Sequence, residues 1–156
     1  MDFRRISLLY ITGFCFLFFS CESEKICEQS TVSTLNAGFY SFQDSIPEAA
    51  LVDSFTVYGI GRADSLIYDQ ANSVGSFDLP LSHFVDTAGF VLTLGTETDT
   101  IRFLYSRELH LISMECGFTT YYYIESIDNT SNVIDSVSVV NEKVTTGDYE
   151  NIKVYL

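Results

Sequence analysis

Residues 99–127 read D-T-I-R-F-L-Y-S-R-E-L-H-L-I-S-M-E-C-G-F-T-T-Y-Y-Y-I-E-S-I, and this stretch decides the fold. Ile101, Phe103 and Tyr105 alternate with Arg102, Leu104 and Ser106. A period of two places three large apolar side chains on one face of an extended segment, so that face is expected to be core. Cys116-Gly117 marks a bend, and the whole is expected to run strand, turn, strand, strand. After it, Phe118, Thr120, Tyr122 and Ile124 share one face, while Tyr121, Tyr123 and Glu125 take the other. Three consecutive tyrosines must therefore put rings on both faces, with at least one ring outward, beside Tyr155 or Tyr58.

Alternation continues outward from this stretch in both directions. Leu35, Ala37 and Phe39 alternate, as do Phe55 and Val57, Phe77 and Leu79, and Phe90, Leu92 and Leu94. Pro80 belongs on an edge or at a bulge, because it has no N–H to give a ladder. Val137 and Val139 follow the polar turn 128–132, and Ile152, Val154 and Leu156 make a last strand. Turn residues cluster between these runs, and no segment keeps a helical period. Eight or nine short strands without helices predict an all-β fold, a single antiparallel β-sandwich over residues 34–156. An immunoglobulin-like sandwich is preferred for its strand count and its cysteine pair, although the chain has no Trp to pack against that pair.

The N-terminal end carries an address. Arg4 and Arg5 precede the apolar run Ile6 to Phe19, which Ser20-Cys21 closes. That is the order of a secretory signal peptide, and the run is shorter than the ~20 residues of a membrane-spanning helix. F-F-S-C resembles the lipobox of bacterial lipoproteins, with Phe18 where Leu is usual. The resemblance implies cleavage after residue 20 and lipidation of Cys21; an ordinary signal peptide with Cys21 left free is the alternative. Residues 21–33, mostly polar, are expected to tether the lipid to the fold.

The cysteines divide accordingly. The chain has 4 Cys. Cys15 leaves with the signal and Cys21 takes lipid, so Cys27 and Cys116 remain as one pair in an exported protein, and a disulfide is expected between them. No metal is expected. Zinc takes about four closely spaced ligands, and the chain offers His83 and His110 without paired cysteines.

The formal charge of the chain is −13, from 8 Lys and Arg against 21 Asp and Glu. Removing residues 1–20, with Arg4, Arg5 and Asp2, leaves the rest more acidic still. Nucleic acid is not an expected partner, because too few cations remain to neutralise phosphates.

Candidate chemistry is thin. Arg107 could clasp a carboxylate ligand, but a pair with one of the chain's own acids is the favoured role, so it is read as structural. His110, between Leu109 and Leu111, points to the opposite face as a solvated imidazole. No nucleophile-elbow motif activates a serine beside His83 or His110, so no catalytic residue, cofactor or enzyme activity is expected. Glu97, Asp99, Asp128 and Asn132 lack the alternating spacing of a calcium loop and read as acidic turns. Asp followed by Ser or Thr and a small or aliphatic residue recurs at Ser45, Ser65, Thr87, Thr100 and Ser136. This resembles the O-glycosylation acceptor of exported Bacteroidetes proteins; turn-to-strand junctions also generate the tripeptide without any such role.

Asp99-Thr100-Ile101, Phe103, Tyr105, Arg107, Ser113, Cys116-Gly117-Phe118 and the terminal Ile152-Lys153-Val154-Tyr155 together resemble an uncharacterised family of small β-rich lipoproteins from Bacteroidetes. The resemblance implies a single-domain architecture and an envelope location, and it carries no activity. Two functions are therefore expected: a non-catalytic module lipid-anchored in the cell envelope, in the outer membrane, with another envelope component as partner; or a small apolar ligand binder using a sandwich or barrel cavity.

Overall fold

The computed structural model describes residues 26–156. Residues 1–25, which hold the expected signal peptide 1–20, Cys21 and the first part of the expected tether, lie outside the described residues. The described part of the chain is all-β, in eleven strands. β1 is Thr34–Gln43, β2 Ile46–Ala49, β3 Phe55–Gly59, β4 Leu66–Ala71, β5 Ser76–Pro80 and β6 Thr87–Leu94. β7 is Glu97–Ser113, β8 Gly117–Asn129, β9 Ser136–Val139, β10 Lys143–Val144 and β11 Glu150–Tyr155.

The strands make two sheets. One runs β2-β1-β11-β9 with β5 also on β1, and the other β10-β8-β7-β6-β3-β4. The sandwich expected from the alternating runs is borne out, with one pairing of the other sense: β1 and β11 lie parallel, Phe39 opposite Val154. Parallel neighbours cannot be joined by a tight turn, and here the whole domain lies between them. Pro80 ends β5 opposite Thr34.

The predicted core faces meet between the sheets. Leu35, Ala37, Phe39, Phe77, Leu79, Ile152 and Val154 come from one sheet, and Phe55, Val57, Leu92, Ile101, Phe103, Tyr105 and Tyr122 from the other, all buried. In place of a Trp, phenylalanines meet. Phe39 lies edge-on to Phe55 at 5.1 Å, and both touch Phe77, at 4.8 and 4.9 Å. Such aromatic contacts add about 0.5–1.5 kcal/mol per pair beyond area burial.

The deciding stretch differs from its expectation in number and length. It forms one hairpin of two long strands rather than three short ones, 17 residues in β7 and 13 in β8. Gly117 takes φ +72° at the turn, a conformation that a side chain would strain. β2, β4 and β10 are also additions to the expected strands, since each is a short or exposed edge strand without a clean alternation.

The disulfide Cys27–Cys116 is present, with Cα atoms 4.8 Å apart and the cysteines 89 positions apart in sequence. It does not cross the core between sheets, as an immunoglobulin-like pair would. It joins the segment ahead of β1 to the turn of the β7–β8 hairpin. Thr119 Oγ1 donates to the Thr31 carbonyl at 2.7 Å, so residues 27–33 are fastened along β8.

Candidate functional site

The hairpin changes character at Arg107. β6 pairs with β7 as far as Leu104. Beyond that point the loop 81–86 closes against the hairpin instead. The Tyr105 amide donates to the Asp86 carbonyl at 2.9 Å. The Tyr105 hydroxyl accepts from the Ser82 amide at 2.9 Å, and the Tyr122 hydroxyl donates to the Leu81 carbonyl at 3.2 Å. That same hydroxyl lies 2.7 Å from His83 Nδ1. The two phenol rings stand edge to face at 5.4 Å.

Arg107 completes the clamp. Opposite Tyr122 in the ladder, it sits on the core-side face, where the second sheet no longer covers it. Its Nε donates to Asp86 Oδ1 at 2.6 Å, and Nη1 donates to the His83 carbonyl. Both contacts bind the same short loop. A guanidinium held in this way has two of its donor directions spent on one loop of the protein.

Burial, and then the neighbouring Tyr105, push the Tyr122 phenol up to about 12. Burial raises Tyr105 as well. Both phenols therefore stay neutral at ordinary pH and act as hydrogen-bonding groups. Ser82 Oγ accepts from the amides of Phe84 and Val85, a local turn contact. His83 Nδ1 faces the Tyr122 hydroxyl and Asp86 Oδ1 accepts from Arg107.

A second polar centre lies at the other end of β7. Asp99 is 1% exposed. It accepts from Thr130 Oγ1 at 2.6 Å and from the amides of Asn132, Val133 and Ile134 at 2.9, 2.7 and 2.9 Å. Burial alone would raise its pKa. The hydrogen bonds from Thr130 and the three amides outweigh burial and hold the carboxyl below its ordinary value. Asp99 thus shapes the turn 130–134, and its oxygens are taken up by protein donors. Asp128 faces Arg102 at 3.8 Å instead. Among the described residues no group of three or more His, Cys, Asp or Glu could hold a metal ion.

The outer face of the hairpin carries a stack. His110 lies on Tyr121 at 4.2 Å, Lys143 Nζ sits 5.2 and 5.3 Å from the rings of Tyr121 and Tyr123, and the Tyr123 hydroxyl donates to Glu108 at 2.7 Å. So the outward tyrosines stand beside His110 and Lys143. Tyr155 stacks on Phe42 instead, at 5.0 Å. His110 does point away from the core, but as a ring packed on another ring.

The remaining candidates are scattered. Ser45, Ser65, Thr87 and Ser136 are exposed, each in a turn or at the first residues of a strand. Thr100 differs, because its hydroxyl is buried without a hydrogen-bond partner. Reasoning from sequence missed Asp86, whose role depends on a partner 21 residues away, and Asn151. The latter accepts from the Asn36 amide at 3.0 Å and donates to the carbonyls of Asn141 and Lys143 at 3.1 and 3.0 Å. No local signal marks either residue.

Past the clamp, the core-side face of the hairpin goes on without cover from any described residue. Leu109 is 69% exposed, Phe118 62% and Met114, in the turn, 88%. Leu111 pairs with Phe118 and Leu109 with Thr120 on this bare face. Neither a curated protein nor a solved structure matches the chain. One family model does, over residues 54–156, from the residue before β3 to the end and including the clamp, the Asp99 turn and the whole hairpin. The chain belongs to the family of unknown function DUF6452.

Proposed function

We propose that the protein is a non-catalytic lipoprotein of the cell envelope, in which the sandwich is held at a membrane through lipid on Cys21 and supports or binds another envelope component. The observation that carries this reading is the placement of the disulfide. Cys27, which follows the signal and Cys21 in sequence, is fixed to the hairpin turn rather than left on a loose strand. A tether pulled from that side loads a covalent bond first. The filled space between the sheets supports a scaffold more than a container, because twenty-one hydrophobic side chains occupy it. Arg107, engaged by Asp86 and His83, fits a scaffold as well.

The test is at Cys21. Cys21→Ser releases the protein from membranes, and the unaltered protein takes up a fatty-acid analogue during growth. An unaltered protein that stays unlabelled removes the anchor from the reading.

A further inference from the structure

We infer that the bare end of the β7–β8 hairpin is a lipid-contacting tip, which dips into the surface of the membrane that carries the anchor. This rests on the lipidation of Cys21 proposed above. It adds an orientation and a second membrane contact, made by side chains.

The tip is a defined patch. Leu111 and Phe118 face each other across the ladder, Leu109 lies two pairs further in on the same face, and Met114 crowns the turn. Ile26, 83% exposed, precedes the cysteine bonded to Cys116 and so joins the same end. Sheet faces that lack a cover are usually polar, and this one is not. No Lys or Arg occurs in residues 108–120. The leash adds one cation, Lys25, among Glu22, Glu24 and Glu28, so the sequence offers no basic cluster for anionic headgroups, and the surface that suits the tip is one of lipids without net charge.

The chain outside the described residues decides the occupant. Cys27 lies six positions after Cys21, and at ~3.3–3.6 Å a step the two are at most about 22 Å apart when fully extended. The disulfide then passes this leash to the hairpin turn, with the Cα of Cys116 only 4.8 Å from that of Cys27. A lipid on Cys21 thus brings the apolar end of the molecule, rather than any other, down to the headgroups. Amphipathic surfaces at that level bury their apolar side chains about 5–10 Å into the boundary of headgroup and acyl chain. Leu111, Met114 and Phe118 sit at the turn end of the hairpin, which suits so shallow a contact.

The chain has no Trp, so a single introduced indole reports its own site. Met114→Trp puts one at the tip, and Thr96→Trp puts one in the exposed turn at the opposite end of β7. Each variant of the full lipidated protein is reconstituted in phosphatidylcholine vesicles, with and without bromine on the acyl chains. The expected result is a blue-shifted indole in Met114→Trp that brominated lipid quenches roughly two-fold, beside an unaffected one in Thr96→Trp, as the shallow depth requires. Protein that is bound to the vesicles but quenched no more in the first variant than in the second overturns the tip and leaves the anchor standing. Protein that never joins the vesicles overturns both. Shielding of the tip indole from a soluble quencher only after envelope proteins are added assigns the tip to a protein partner, and overturns the lipid.

Discussion

The two halves of the β7–β8 hairpin continue a single alternation and end in opposite environments. Ile101, Phe103 and Tyr105 are buried under the second sheet, whereas Leu109 and Leu111, on the same face of the same strand, are exposed. Arg107 stands between them, at the line where cover ends. The difference teaches that alternation records which face a side chain takes, and nothing about what lies over that face. Cover is supplied from elsewhere in the chain.

The largest effect that sharpens this contrast is a matched pair of truncations. Phe103→Ala should cost about 3–5 kcal/mol in urea unfolding, the usual loss for a fully buried Phe, while Phe118→Ala should stay within about 0.5 kcal/mol. Equal costs would mean that the tip is covered in solution. Next comes the disulfide, which ties the bare half to the start of the fold. Replacing Cys27 and Cys116 together by Ser should lower stability by about 2–4 kcal/mol, with amide exchange rising in residues 109–120 well before 99–105.

Asp99 offers a test confined to the covered half. Its folded pKa lies below the unfolded value of about 3.9, so its contribution is fully present above that value and is lost as pH falls through the depressed folded one. Asp99→Asn should flatten the acid side of the stability curve and cost about 1–3 kcal/mol at neutral pH, because the turn's donors lose a charged acceptor. Arg107→Ala comes last. The ion pair with Asp86 is partly exposed, so the loss should be about 1 kcal/mol, accompanied by faster protease cleavage in loop 81–86. Unchanged cleavage there would show that Tyr105 and Tyr122 hold the loop without it.

What could be read from the sequence divides along the same line. The core faces of β1, β3, β5, β6, β7 and β11 were legible because each repeats an apolar residue every second position, and cysteine counting led to Cys27–Cys116. That Phe118 would be exposed was not legible, since it shares a face with the buried Tyr122. Nor was the partner of Arg107, because a charge gives no hint of which of 21 acids it meets. Asp99 was visible only as an acidic turn residue; its role in shaping residues 130–134 depends on chain some thirty positions away. The parallel match of β1 with β11 left no trace either, as periodicity marks strands and not neighbours.

That last pairing sets an order in time. β1 is the first strand to be made and β11 the last, and Asn36 bonds to a residue 115 positions further on. Between them β1 takes up β2 and β5, so half of one sheet can assemble early and still lack its centre. Contacts this distant are slow to find, since a long loop must close before any of them forms. The domain therefore becomes whole only when its final six-residue strand has emerged. The export proposed above is suited by that delay, because a chain must cross a membrane as an open thread and here the lock that would close it is the last piece to arrive.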